Sequence, residues 1–488
     1  MEFLNKLTRN KFENFLVLAI FSSIIVLIIS CIKYIYFGSI NWDEPLQILG
    51  VEEHLSFAVS TLKAEGKNYQ EIVRNMEWYG VGLKFIYAAP MLFIKKVFGQ
   101  ESRFLQFSSL RGFALFIYLS SGVVFYYTSN FYQKRKSKIL ALIYFTFPLL
   151  AGESYLNITD IPMAICFSFY SLLNGIIVIS EQNKLGEKKL SKFSQIDQKK
   201  FIWNQEKNIF FYSVFMAALL INSKASMLAP VLIIESFLAL YLIDKKVTIY
   251  KKALNFLQKI KYRLISIFAI TYLITPPAWL NPFKYYLEVI TNFSKFGGNY
   301  GSKIAGIQLT TNTDSWNLFE YLWRWLQIKI PLIMILLIFI FFSYCLYQLI
   351  FKNERRHISI LRNPLLTFYF LQLTITPSLA IIANSSTYNV LRHWCFIYPP
   401  LIIFSAFVID NLLLNSRSEV FNKISKLAVG IFAVLGIVDN VMLMPYSNLS
   451  FNSYGRRFVK EENTDIDYWG YSAGEILKSN VIKGYEVK

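Results

Sequence analysis

Histidine, cysteine and acidic residues are scarce in this chain. Its three histidines, His54, His357 and His393, are too few and too widely separated to argue for a metal site. The four cysteines, Cys31, Cys166, Cys345 and Cys395, have no metal-ligand spacing. All four lie in or beside apolar blocks, so they read as small core hydrophobes and not as a disulfide framework. Low-complexity segments are absent, and so is an inverted repeat of hydrophobic segments of the kind many transporters carry. A small-residue cleavage site is also missing after the first apolar block. That block is too long for a signal-peptide core and is expected to stay in place as a helix.

Acids number 31 against 50 Lys and Arg, for a formal net charge of +19. Such a balance suggests nucleic acid as a partner until the basic residues are located. They cluster in short loops between apolar blocks, which is the positive-inside pattern of a membrane protein. Of the 488 residues, 55% are hydrophobic, with 44 Phe, 31 Tyr and 9 Trp. The mean hydropathy is +0.39. A soluble chain of this size could not keep so much apolar surface from water. The block "FLVLAIFSSIIVLIISCIKYIY" from Phe15 matches the ~20 residues that cross a bilayer core as a helix.

The expected architecture is therefore an all-α polytopic membrane protein with about eleven transmembrane helices. We place them at 15–36, 112–131, 139–153, 161–180, 209–223, 226–242, 264–280, 330–350, 364–383, 395–414 and 427–445. The third and fifth are short and require tilt or local thinning. The segments then assigned inside are 1–14, 132–138, 181–208, 243–263, 351–362 and 415–426. These 94 residues hold 28 of the 50 Lys and Arg. Adding or removing one helix would put some of these basic loops outside, so the alternation supports both count and orientation. The amino end is cytoplasmic and the carboxyl end is outside, in a plasma or inner membrane.

The membrane domain spans 1–445. It carries long outer loops at 37–111 and 281–329, followed by an outer tail at 446–488. Within the first loop, "YGVGLKFIYAAPMLFIKKVFG" is interrupted by Lys84, Pro90, Lys95 and Lys96. It reads as an outer-face amphipathic helix, since another span would invert every later loop. Four Asn-X-Ser/Thr triplets, at Asn157, Asn292, Asn384 and Asn448, fall outside in this topology.

"NWDEP" puts Asp43 and Glu44 side by side just beyond the first span. Acids at that depth are costly and often functional. Adjacent like charges raise one carboxyl pKa, which suits a general base. Pro45 disfavours helix at Glu44 and would hold the pair in a turn. The plain alternative is a solvated helix end. "YLNITDIPMAICF" puts Asp160 at the outer end of the fourth span with Pro162 in its first turn, where Asp is also a good N-cap. "INSKASM" leaves Lys224 at the outer surface, and "NVLRHWCFIYPP" does the same for Arg392 and His393. Outer cations run against the positive-inside bias. They suit a bound phosphate, with snorkelling as the alternative.

Together these pieces resemble the GT-C glycosyltransferases, the group of the protein mannosyltransferases and the lipid A aminoarabinose transferase. The resemblance rests on an Asp-Glu pair after the first helix, a "D-x-P" opening the fourth, and a Lys between the fifth and sixth. "YPPL" after "RH" adds to it. "PPAWLNP" before a large outer loop and "MPYSNLSFN…DYWGYS" in the tail are similar to segments of bacterial relatives of the protein mannosyltransferases. The fifth block reads "INSK" where the family has a small-residue-rich "G-x-x-x-L-T-K", and the tail is short.

The resemblance implies an inverting transferase on the outer face. Its donor is a polyprenyl-phosphate sugar, and its acceptor is a lipid, glycan or protein hydroxyl. Asp43 would be the base, Glu44 would orient the reacting groups, and Asp160 would support the base or acceptor. Lys224, Arg392 and His393 would hold the donor phosphate. No cofactor is implied, a divalent metal is not indicated by the residues, and no nucleic acid is expected. The competing readings are a lipid-linked sugar flippase or other transporter, which would place charges near mid-bilayer, and a non-catalytic membrane scaffold.

Overall fold

The computed structural model describes residues 2–37, 44–63, 82–99, 102–129, 134–157, 160–184, 206–224, 227–241, 249–294, 302–304, 306–309, 315–351, 364–382, 395–414, 419–460 and 464. Almost all of them are helical. In chain order the helices are α1 (Glu2–Phe37), α2 (Glu44–Leu62), α3 (Gly82–Phe98), α4 (Arg103–Ser129), α5 (Lys134–Thr146), α6 (Pro148–Glu153), α7 (Asp160–Lys184), α8 (Glu206–Ser223) and α9 (Leu228–Tyr241). Then come α10 (Ile249–Leu273), α11 (Pro282–Ser294), α12 (Ser315–Lys329), α13 (Leu332–Phe351), α14 (Pro364–Ile382), α15 (Tyr398–Val408), α16 (Glu419–Met442) and α17 (Gly455–Phe458). Short 3-10 turns at Pro276–Trp279 and Ser447–Leu449, and a π-helical turn at Ile409–Leu414 that continues α15, complete the described helical set. One element departs from all-α. Strand β1 (Ser302–Ile304) pairs antiparallel with β2 (Ile307–Leu309) inside the second long loop, and Gly306 takes a positive φ at the turn.

Among the described residues, four helices are long and apolar enough to cross a bilayer: Lys11–Tyr36, Phe104–Tyr127, Asp160–Val178 and Glu419–Met442. A fifth is counted if α12 and α13, bent by 114° at Ile330–Pro331, form one span. Their surfaces are inverted relative to a water-soluble fold. The buried stripe of α16 is Ser425, Val429, Ala433, Gly436 and Asn440. Its exposed side carries Val420, Ile424, Leu427, Ile431, Leu435, Val438 and Val441. The smaller and more polar residues face the protein and the larger apolar ones face out, as expected where lipid is the solvent. Gly436 lets α16 close on α5, since a Cβ there would lie 2.8 Å from the Thr146 carbonyl oxygen.

A break in the helical run is repaired by side chains. Pro148 has no N–H to give to the carbonyl of Tyr144, four residues earlier. The Tyr118 hydroxyl of α4 donates to that oxygen instead, at 2.6 Å, with the two rings stacked at 4.7 Å. Asn440 of α16 donates to Thr146 O at 3.2 Å. The expected third span is thus two helices, α5 and α6.

Residues 249–263, expected as loop, are helical and belong to α10. Lys and Arg mark where a segment meets water, yet they are also good helix formers. No Gly or Pro interrupts Ile249–Leu273. The helix stops before the expected 280 because Pro276 and Pro277 cannot continue it.

The described residues of the first long loop include helices α2 and α3. In α3, Lys84 is buried, and Lys95 pairs with Glu52 of α2 at 2.6 Å. His54 of α2 is buried, with Nδ1 donating to Gly50 O at 2.6 Å. Burial chiefly, with the nearby Lys84 charge adding to it, pushes its pKa down from 6.5 to about 4. The unfolded chain therefore takes this proton first. Stability present above pH 6.5 should be lost as pH falls towards 4. Hydrogen exchange of α2 and α3 should show that loss in the wild type and a flatter profile in His54→Gln. Equal profiles would show that His54 is not responsible.

Candidate functional site

Asp160 opens α7 and Lys224 directly follows α8, two helices in extensive contact. The two helices are antiparallel. The Cys166 thiol lies 3.3 Å from Met216 Sδ, and Ser213 Oγ donates to Asn174 Oδ1 at 2.6 Å. Following both helices outward by six residues from the Cys166–Met216 level brings Asp160 level with Asn222, two residues before Lys224. Asp160 is buried and Lys224 is half-buried.

The residue that caps α7 is Asn157. Its Oδ1 accepts the Asp160 backbone N–H at 2.8 Å, and its amide lies 3.4 Å from Asp160 Oδ2. The Asp160 carboxylate sits in the first turn, where the helix dipole favours negative charge. Asn157 and Asn448 are both buried and hydrogen-bonded, which makes neither a place for a glycan.

Arg111 of α4, also buried, donates through Nη1 to Tyr155 O and Leu156 O, both at 2.9 Å. Its guanidinium lies 5.3 Å from the centre of the Tyr34 ring. It therefore holds the turn leading into Asn157 and Asp160.

Asn222 ties three further elements to this end of the bundle. Its Oδ1 accepts the Gly82 N–H at the start of α3, at 2.7 Å. Its Nδ2 donates to Thr275 Oγ1 at 2.8 Å and to Ile274 O at 3.1 Å, at the end of α10. Helix α2 packs against α3 and against the Pro276–Trp279 turn, so it joins the same region. Glu44 is the first residue of α2. The expected turn at the acid pair is thus a helix start. Pro45 fits there because the first turn lacks N–H acceptors in any case. The Glu44 side chain, Asp43, Arg392 and His393 lie outside the described residues.

A second polar centre was not anticipated. Lys329, at the end of α12, is buried and donates to Asn448 O at 3.2 Å. Its Nζ lies 4.0 Å from the Phe451 ring centre. Desolvation lowers its pKa to about 7, partly opposed by the nearby Glu153 carboxylate. Glu153 in turn accepts from Asn448 Nδ2 at 3.3 Å. This centre fastens the described part of the tail to the bundle. Tyr155 OH donates to Pro445 O at 2.6 Å, and Asn452 Nδ2 donates to Gln327 O and Ile330 O, both at 2.6 Å.

Among the described residues, no group of three or more His, Cys, Asp or Glu side chains could hold a metal ion. The described residues at this end of the bundle include the Asp160 carboxylate and the cationic side chains of Lys224 and Arg111. Such a site can orient and stabilise an anionic group next to an acid. No protein-family model matches the chain, and no curated protein matches it significantly.

Proposed function

We propose that the chain is an integral membrane glycosyltransferase of the GT-C type, with eleven spans, a cytoplasmic amino end and an outer carboxyl end. It transfers a sugar from a polyprenyl-phosphate donor to an acceptor hydroxyl at the outer face of a plasma or inner membrane. The observation that carries this reading is the convergence at one end of the bundle: Asp160 and Lys224 at one level, joined through Asn222 to the helices of the first loop. Asp43 takes the acceptor proton and Glu44 orients the reacting groups. The hydroxyl attacks the anomeric carbon with inversion, and the polyprenyl phosphate leaves. Lys224, Arg392 and His393 stabilise the charge developing on that phosphate. Asp160 supports the acceptor side. The donor's lipid tail is the reason a sugar transferase is built from membrane helices.

A transporter of lipid-linked sugars is the second reading, and one observation favours it. Glu235 and Arg263 form a buried ion pair well inside the bundle, where transport proteins often keep charge. Reconstitution separates the two. Purified protein in vesicles, given polyprenyl-phosphate sugar and acceptor, should form glycosylated product. Lys224→Ala and Arg392→Ala should each weaken donor binding or slow transfer with little loss of folded protein. Movement of intact donor between leaflets with no product would favour the transporter instead.

A further inference from the structure

The ion pair between Glu235 and Arg263 joins four helices near the middle of the bundle. Arg263 of α10 donates through Nε to Glu235 Oε2 of α9 and through Nη2 to Glu235 Oε1, the latter at 2.6 Å. The same Nη2 reaches Ser213 Oγ of α8 at 2.9 Å and Asn174 Oδ1 of α7 at 3.1 Å. Tyr170 OH of α7 donates to Glu235 Oε1 at 2.8 Å. The guanidinium also lies 4.9 Å from the Phe210 ring centre.

The depth of this cluster agrees from every helix. Tyr170, Ser213 and Arg263 lie ten residues from the outer ends of their helices, and Glu235 lies seven from its own. At about 1.5 Å per residue that is roughly 10–15 Å. It is about the mid-depth of a ~30 Å hydrocarbon core.

Charge at that depth is costly, and apolar packing would hold four helices together without it. Apolar contacts, however, tolerate sliding. A planar guanidinium fork bound to Glu235, Ser213 and Asn174 fixes three neighbours at once, and a slip of one helical turn would break every bond. Helices α7 and α8 are the ones that end in Asp160 and Lys224.

We propose that the Glu235–Arg263 pair is a positioning device that fixes the register of α7 against α8, and so the spacing of Asp160 and Lys224. The register is a claim about structure alone. Its catalytic consequence rests on the transferase reading above.

The test uses the full-length protein with Cys31, Cys345 and Cys395 replaced by alanine. Native Cys166 faces Met216, so Met216→Cys creates a reporter of register, and Leu220→Cys, one turn away, reports a slip. Single changes such as Glu235→Ala would strand a buried charge and could prevent folding. The decisive variant is therefore the apolar pair, Glu235→Leu with Arg263→Met, which removes both charges together.

In the wild-type background, oxidative cross-linking of Cys166 should favour position 216 over 220. In the double variant that preference should disappear. Turnover should fall by about 10²-fold while the apparent KM for donor changes little, and the protein should still accumulate in the membrane. An unchanged preference for 216 overturns the proposal, whether or not activity is lost. A lost preference with full turnover overturns its catalytic part. If the preference is lost and the wild-type protein transfers no sugar, the register lock stands and the transferase reading falls.

Discussion

Replacing Asp43 with asparagine is expected to reduce sugar transfer by about 10²–10⁴-fold while leaving the donor bound. Asparagine keeps the size and most of the hydrogen bonding of the carboxylate, but cannot accept a proton at neutral pH. The acid follows directly on α1, which ends at Phe37 near the outer surface, and precedes α2, which opens at Glu44. Helix α2 is anchored: Glu52 pairs with Lys95, and α2 packs on the Pro276–Trp279 turn. The helix dipole at its N-terminal end favours nearby negative charge. A structural role for Asp43 predicts something else, namely less protein in the membrane and normal specific activity in what remains. Product formation and retained donor are therefore measured separately on purified protein. Full transfer by well-folded Asp43→Asn would refute the base assignment and shift attention to Glu44 and Asp160.

Charge was the most informative feature of the sequence and also the most misleading. Each expected span overlaps helix among the described residues, because apolar blocks of that length have few alternatives in lipid, although the third is broken at Phe147 and the seventh ends early at Leu273. Four of these helices qualify as spans on length and apolarity, or five with the bent pair. That measure covers the described residues alone, where further apolar helices run Asn208–Ser223, Leu228–Leu240 and Cys395–Val408. Arg111, Lys329 and Arg263 all served as markers of where a loop meets a helix. All three are buried, and each holds a junction: the turn before Asp160, the tail, and the centre of the bundle. A hydropathy pattern records that a charge is present, not which partner neutralises it. Glu235 did carry a signal, as a lone acid in "LAPVLIIESFLALY". Its partner is 28 residues away on another helix, which periodicity does not reveal.

The candidate site was legible in proportion to how local its causes are. Asp160 and Lys224 were found because each interrupts an apolar block at its end. That they share a level depends on the α7–α8 register, a tertiary property. The Asn157 cap was open to the same reading as Asp160, since both residue types cap helices, and only the backbone position decides between them. Asn222 carried no signal, although it connects three elements.

The attachment of the tail gives the last expected result: Gly152→Val should release it. Gly152 lies in α6 directly under the Ser447–Leu449 turn. A Cβ at 152 would overlap the Asn448 amide nitrogen and lie 2.8 Å from the Ser447 carbonyl carbon. Neither side can yield easily. Tyr155 grips Pro445, Lys329 grips the Asn448 carbonyl, and Asn452 is bound to the carbonyls at Gln327, Ile328 and Ile330. Gly455 is as tightly placed, since a Cβ there would lie 2.6 Å from Ile328 O. Overpacking of this kind costs about 1–3 kcal/mol, enough to lift a segment held mainly by directional bonds. Once it lifts, water and reagents reach Lys329, which is buried in the wild type. Two measurements follow: protease cleavage within 446–460, and acylation of Lys329 by an amine-reactive reagent at pH 8. Both should be low in the wild type and high in Gly152→Val. Gly112→Ala is the control, because a Cβ there meets nothing within 4 Å, and it should behave as wild type. A tail equally protected in Gly152→Val would mean that the Gly152–Asn448 contact does not hold it down.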